Sequence, residues 1–181
     1  MGRDKAALPH PAGGSWLSHS VELLLELLLE LNCPVAVLTR HRQHRDLLQH
    51  RPQVRVELES GPARGPLQAL SQVLPQQDGV AVLVAPVDLP YLERSGLQLL
   101  LQSWQRAPQL AAVAHDGQQR QPLLGIYPGG PAAHSALQQE LEQGRGRWQS
   151  WLDRQPHQLV PLPAAQLRNL NTPAECAALP G

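Results

Sequence analysis

The sequence has almost no lysine and no net charge. Its 15 basic residues balance 15 acidic ones, and Lys5 is the only lysine among them. A balanced chain has no overall field that attracts nucleic acid or a membrane surface, so any site for an anionic ligand must be built locally. Because an ammonium group is a compact point charge suited to phosphate, the single lysine marks a candidate phosphate contact.

Cysteines and long hydrophobic runs are also scarce. Cys33 and Cys176 are far apart and match no metal or redox spacing, which indicates a reducing compartment. The longest leucine-rich run, residues 21–31, is interrupted by three glutamates and is too short and too charged to cross a bilayer. The charged segment 3–5 argues against an N-terminal signal. We therefore expect a cytoplasmic protein with neither a membrane nor a nucleic-acid partner.

Apolar segments with strand and helix periodicity alternate along the chain. Strands are predicted at 35–39, 54–58, 80–85, 110–115, 123–127 and 158–162. Helices are predicted at 15–31, 40–51, 66–74, 92–104, 132–143 and 148–154, with a short one after Pro173. This alternation predicts a single α/β domain over residues 1–181, with a three-layer Rossmann-like arrangement and a mostly parallel sheet. The apolar run 80–85 is predicted to be central, and ligands are expected at the carboxyl ends of the strands.

An aspartate follows the predicted central strand. Asp88 lies between Pro86 and Pro90, just past the end of the apolar run. A carboxylate held at a strand end suits Mg²⁺, which takes one or two carboxylates and completes its shell with water and phosphate oxygens. The alternative is that Asp88 only caps the helix near Leu92.

Three other segments carry candidate site residues. Lys5 follows a glycine and can reach phosphates, although an exposed terminal lysine is usually solvated. Residues 63–69 place a glycine and a proline before a helix, which either leaves N–H groups for an anion or forms a plain loop-to-helix junction. Residues 169–173 are the third such segment, and the alternative is that their Asn and Thr before a proline only form a helix N-cap. His41 and His44 are surrounded by arginines, which argues against a divalent metal there.

Taken in order, these segments resemble the molybdenum cofactor guanylyltransferase family. That family opens with a strand and a loop of the form Leu-Ala-Gly-Gly-x-Ser-x-Arg-Met-Gly-x-Asp-Lys, whose end matches Met1-Gly-Arg-Asp-Lys5. The other matching segments are Arg64-Gly-Pro-Leu67, Ala85-Pro-Val-Asp-Leu-Pro90, Pro122-Leu-Leu-Gly-Ile-Tyr127, Trp148-x-x-Trp-Leu152 and Asn169-Leu-Asn-Thr-Pro173. The resemblance covers nearly the whole chain.

The resemblance implies a nucleotidyltransferase that moves GMP from GTP to molybdopterin and releases pyrophosphate. It implies that Lys5 contacts the phosphates, that Asp88 binds Mg²⁺ and that the Gly65 segment contacts the nucleotide. An acidic residue before Gly-Pro-Leu contacts the nucleotide in the family, and Glu59 is the nearest candidate, with Glu57 as the alternate. Asn169 and Asn171 would lie on the pterin side.

The resemblance also implies GTP and molybdopterin as substrates and contacts with other proteins of molybdenum cofactor biosynthesis. The expected assembly is a monomer or a weak oligomer. The rival functions are a transferase for CTP or a sugar phosphate, and a non-catalytic nucleotide-binding module.

The family's first strand and its Ala-Gly-Gly loop have no counterpart in the sequence. Without that strand, two sheet edges are expected to lack a partner. We hypothesise that Met1 is an internal methionine of a longer reading frame, and we expect weak or no activity if the chain starts there. A stop codon directly upstream, with no in-frame Ala-Gly-Gly, would refute this.

Overall fold

The computed structural model describes residues 4–28, 31–59 and 65–169. The chain divides into two compact units. The first unit comprises Met1–Ser60, Pro86–Leu97 and Ala165–Gly181, and the second comprises Gly61–Ala85 and Gln98–Ala164. The single domain expected from the sequence stays a prediction.

The first unit is built on two parallel strands. Its elements are a 3-10 turn at Lys5–Ala7, α1 at Trp16–Leu28, β1 at Val35–Thr39, α2 at His44–Leu47 and β2 at Val54–Leu58. The register of β1 and β2 runs from the pair Val35 and Val54 to the pair Thr39 and Leu58. The apolar spacing of α1 buries Leu17 and Val21 in a small aliphatic core. The strand ends, at Thr39 and Leu58, therefore lie side by side.

The second unit is built on a four-stranded sheet. Its elements are α3 at Pro66–Val73, β3 at Ala81–Val84, β4 at Ala111–His115, β5 at Arg120–Pro128, α5 at Pro131–Glu142, α6 at Trp148–Leu152 and β6 at His157–Pro161. A further helix, α4 at Arg94–Arg106, begins in the first unit and continues into the second. The strand order is β3-β5-β4-β6.

Three of these four strands run in the same direction. β5 is antiparallel to both β3 and β4, and β6 is parallel to β4, so only β5 is reversed. Together with the parallel pair β1–β2, this confirms the predicted α/β class and the mostly parallel sheets.

The core of the second unit is aromatic. Tyr127 on β5 lies against Trp148 and Trp151 of α6, with ring centroids 5.4 Å and 5.7 Å away. The Tyr127 hydroxyl donates to the carbonyl of Pro122 over 2.5 Å and accepts from Nε1 of Trp148 over 3.0 Å. Burial raises the pKa of Tyr127, so this hydroxyl keeps its proton and its donor role.

The predicted strands are all present, with ends that shift by at most three residues, the largest shift being at the start of β5. The helix expected over 40–51 is wrong in length, since only His44–Leu47 is helical. The central position expected for residues 80–85 is also wrong: in the part of the chain that the structure describes, β3 is an edge of its sheet, and its four residues are only half-buried. An apolar run predicts burial but cannot say how many neighbours a strand has. The helix expected after Pro173 lies outside the described residues.

Within the described residues, four strands (β1, β2, β3 and β6) each have a hydrogen-bonded neighbour on one side only, and the expectation that an absent strand leaves two unpaired edges stays a prediction. Across the same residues, every helix falls short of the length and apolarity that crossing a bilayer requires.

Candidate active site

Asp88 lies in the loop that follows β3. α4 begins only at Arg94, so Asp88 is not the N-cap of that helix. Its Oδ2 lies 3.5 Å from Nζ of Lys5, and both side chains are about one-third exposed, at 33% and 28%. The lone lysine and the predicted metal-binding aspartate therefore face each other at a surface that a polyanion can reach.

The backbone at Lys5 is held by its own turn. Asp4 is the N-cap, and its Oδ1 accepts from the Ala6 amide over 3.1 Å. The Leu8 amide donates to the Lys5 carbonyl over 3.0 Å, which closes the turn. The flexible lysine side chain thus starts from a fixed backbone position.

The other oxygen of Asp4 is also engaged. Its Oδ2 accepts from Nε2 of Gln43 and lies 2.7 Å from Nε2 of His44. Burial alone would raise the pKa of Asp4, but the hydrogen bonds from His44 and Gln43 outweigh it and hold the pKa below its ordinary value of 3.8. Asp4 is therefore a carboxylate at neutral pH.

The loop after Asp88 is tied down by a histidine. The ring of His10 accepts from the Ala12 amide at Nδ1 over 3.1 Å, so its proton is on Nε2, which donates to the Pro90 carbonyl over 3.0 Å. His19 stacks on His10 with ring centroids 3.7 Å apart. Burial and the neighbouring His10 lower the pKa of His19 below its ordinary value of 6.5.

A groove of about 270 Å³ opens beside Lys5. Its wall includes residues from the 3-10 turn, from the ends of β1 and β2, and from the loop before Asp88. The polar lining residues are Asp4, Lys5, Thr39, Arg40, His41, His44 and Glu59. The groove lies at the carboxyl ends of two parallel strands, where ligands of α/β sheets bind.

Glu59 lies in this groove, immediately after β2. Nε of Arg40 donates to its Oε2 over 2.7 Å, and its amide donates to the Thr39 carbonyl over 2.8 Å. The alternate, Glu57, is an exposed residue within β2 and is not among the lining residues. The geometry therefore favours Glu59 over Glu57 as the acidic residue near a ligand at Lys5.

Among the other predicted site residues, Gly65 belongs to the second unit and is the N-cap of α3, with φ of 88° before Pro66. That φ favours glycine, since a side chain is strained there. Asn169 is exposed in the first unit, and Asn171 lies outside the described residues.

Sequence reasoning missed the partners of Asp4. Their side chains come together only through folding, because Gln43 and His44 are distant from Asp4 in the chain. The one available signal was that Asp4 directly precedes the lone lysine.

Most of the chain matches one protein family. The model of the MobA-like NTP transferase domain matches residues 1–159. The chain belongs to this family. It is a nucleotidyltransferase, with Lys5 and Asp88 inside the matched region.

One curated relative and two solved structures show how far the similarity extends. A protein of Rhodopirellula baltica named "Probable molybdenum cofactor guanylyltransferase" is 37% identical over 97% of this chain and 83% of its own length. The molybdopterin-guanine dinucleotide biosynthesis protein A of Archaeoglobus fulgidus superposes with a TM-score of 0.62 at 20% identity, over 97% of this chain and 88% of that one. A 4-diphosphocytidyl-2C-methyl-D-erythritol synthase superposes with a TM-score of 0.68 at 16% identity, over 96% and 91%. The two structures show the fold, a nucleotidyltransferase fold.

Proposed function

We propose that the protein transfers GMP from GTP to the terminal phosphate of molybdopterin and releases pyrophosphate. The observation that carries this is the pairing of Lys5 with Asp88 beside the groove at the ends of β1 and β2. The naming of the Rhodopirellula baltica relative supports the choice of substrates. GTP and molybdopterin are thus the proposed partners.

The proposed chemistry rests on positioning and on charge. Attack by the molybdopterin phosphate on the α-phosphorus of GTP needs neutralisation of the oxygens that gain charge. Nζ of Lys5 donates to phosphate oxygens when the triphosphate takes the place of its partner Asp88. A charge-assisted hydrogen bond of this kind strengthens as negative charge builds up on the leaving pyrophosphate.

The single carboxylate of Asp88 supports magnesium as the metal of this reaction. Among the described residues no cluster of three His, Cys, Asp or Glu side chains could form a cage, so softer or fully caged metals do not match. Mg²⁺ needs only one or two carboxylates and takes its other ligands from water and phosphate. Asp88 would hold it through a hard carboxylate oxygen. When bound, the ion supplies positive charge to the phosphate oxygens.

The remaining proposed contacts follow from the family resemblance of the motifs. Glu59, fixed by Arg40 at the groove, accepts hydrogen bonds from the nucleotide. Gly65 brings backbone close to the nucleotide without a side chain in the way. Asn169 and Asn171 contact the pterin side. The exposed thiol of Cys33 fits a reducing compartment, and we place the reaction in the cytoplasm.

A turnover assay tests this function and its rivals together. Purified protein is mixed with molybdopterin, Mg²⁺ and either GTP or CTP, and pyrophosphate is measured. We expect pyrophosphate to be released in the mixture that contains GTP and not in the mixture that contains CTP. Release with CTP would replace the proposed substrate, and GTP binding without pyrophosphate would favour a non-catalytic binding module.

A further inference from the structure

We propose that Thr39, His44 and Asp4 form a hydrogen-bond relay that positions Lys5 for the triphosphate. This role rests on the proposed function, whereas the relay itself is a property of the first unit. The three residues are positioning residues, since Lys5 and not they would touch the phosphates. The contacts of His44 with Asp4 and Thr39 determine which atoms of the relay carry protons.

The first proton position is set by Asp4. An ionised carboxylate can only accept hydrogen bonds, so the 2.7 Å contact between Oδ2 of Asp4 and Nε2 of His44 requires a proton on Nε2. Gln43 donates to the same oxygen and Ala6 donates to the other. Asp4 therefore receives donors on both oxygens and is held in one orientation.

The second proton position is set by Thr39. Its hydroxyl oxygen accepts from the His41 amide over 3.1 Å and lies 2.7 Å from Nδ1 of His44. In the neutral imidazole the single proton is on Nε2, and Nδ1 then accepts the Thr39 hydroxyl proton. The donors thus run in one direction, from His41 through Thr39 and His44 to Asp4.

The relay is shielded from water at its centre. Thr39 and His44 are 6% and 4% exposed, so a lost partner cannot readily be replaced by solvent. Buried hydrogen bonds that orient a ligating or charged group act on it even though they do not touch the substrate. A change at Thr39 therefore reaches the N-cap of the turn that begins at Lys5.

The end of the relay is the Lys5 backbone. Asp4 caps the 3-10 turn through the Ala6 amide, and Lys5 is the first residue of that turn. The relay ties this turn to the carboxyl end of β1, which is rigidly paired with β2. It thereby fixes the starting point from which the lysine side chain reaches Asp88 at 3.5 Å.

The single lysine gives a direct test. Reductive methylation with ¹³C-formaldehyde labels Lys5 as the only lysine and keeps its positive charge, so one side-chain NMR resonance reports its surroundings. We compare how far this resonance moves when Asp88 is changed to Asn, in the wild-type background and in Thr39→Val. Thr39→Ser restores the hydroxyl, and His50→Gln, an exposed histidine of the same unit, is the matched control.

We expect the Asp88→Asn change to move the Lys5 resonance in the wild type, in Thr39→Ser and in His50→Gln, and to move it little in Thr39→Val. If Asp88→Asn moves the Lys5 resonance equally far in Thr39→Val, the relay is overturned. It is also overturned if Asp88→Asn leaves the Lys5 resonance of the wild type unchanged. If Thr39→Val does not fold, the pair His44→Leu and His44→Gln decides the question. In that pair, glutamine keeps a donor for Asp4 and leucine does not.

A second readout separates the relay from the proposed function. We expect GTP affinity to fall about tenfold in Thr39→Val, at the upper end of the usual effect of losing one hydrogen bond, and to recover in Thr39→Ser. Absence of GTP turnover in the wild type, with the NMR pattern as expected, refutes the proposed function and leaves the relay intact. Unchanged GTP affinity in a folded Thr39→Val refutes the role of the relay.

Discussion

The two units of the chain differ in what holds them together. The second unit buries Tyr127, Trp148 and Trp151 with leucines from α3 and α5. The first unit has a small aliphatic core and carries a network of charged and polar side chains next to a groove. From this contrast we expect the second unit to contribute more to stability, and we propose that the first unit carries the chemistry.

The difference follows from the side chains that each unit buries. Aromatic rings bury a large area and stabilise a core through packing. Histidine, threonine and carboxylate groups stabilise little when buried, and each needs a partner. The first unit therefore keeps its polar side chains partnered, and they fix the positions of Lys5 and the loop of Asp88.

The largest effect should come from Asp88→Asn, which removes a charge without changing size. We expect pyrophosphate release to be abolished, by more than about 100-fold, as when electrostatic stabilisation is removed from other active sites. Circular dichroism should stay unchanged. The control is Asp153→Asn, which breaks an exposed ion pair with Arg120 and should leave turnover as it is. Retained turnover in Asp88→Asn removes Asp88 from the mechanism.

Trp148→Ala should act on stability instead. It opens a cavity in the second unit and takes a donor from Tyr127, so we expect a loss of about 3–5 kcal/mol in the free energy of unfolding. Urea denaturation measures it, with Leu123→Ala on the exposed side of β5 as the control. A loss below about 1 kcal/mol would contradict the assignment of stability to this core.

Lys5→Arg should have an intermediate effect on turnover. Arginine keeps the charge but replaces a compact ammonium with a planar fork, so we expect about a tenfold loss of kcat/KM. The reverse exchange, Arg55→Lys at an exposed position of β2, should change nothing. Full activity of Lys5→Arg would show that any cation suffices there.

The smallest effect concerns Glu140 of the second unit. The hydrogen bond from Arg145, aided by the charges of Arg145 and Arg154, lowers the pKa of Glu140 below its ordinary value of 4.5. Because the pKa of Glu140 is lower in the folded state, ionised Glu140 stabilises the protein at pH values above 4.5. This contribution is lost as the pH falls through the lowered pKa. The free energies of unfolding of the wild type and Glu140→Gln should therefore differ at about pH 7 and converge as the pH falls through the lowered pKa of Glu140. A difference that grows on acidification would contradict this.

Much of the fold could be predicted from local pattern. Apolar runs such as 35–39 and 111–115 became strands, because side-chain periodicity is a local property. The edge position of β3 could not be predicted, since it depends on pairing between distant segments. The short α2 replaced a longer predicted helix in a polar segment that has little apolar surface to bury.

In the candidate site, too, the residues that belong to local motifs could be predicted, whereas the contacts between distant residues could not. The motif order indicated both Lys5 and Asp88, and the structure places them 3.5 Å apart. The link from Thr39 to Asp4 and the bond from His10 to the Pro90 carbonyl could not be predicted, because each joins residues far apart in the chain. The catalytic roles of Lys5, Asp88, Glu59 and Gly65 stay predictions.

The most direct test is a crystal structure of the protein with Mg²⁺ and a non-hydrolysable GTP analogue. We predict phosphate oxygens within hydrogen-bond distance of Nζ of Lys5, and the metal ion on the carboxylate of Asp88. A triphosphate bound elsewhere, with the ion pair of Lys5 and Asp88 undisturbed, would contradict the account.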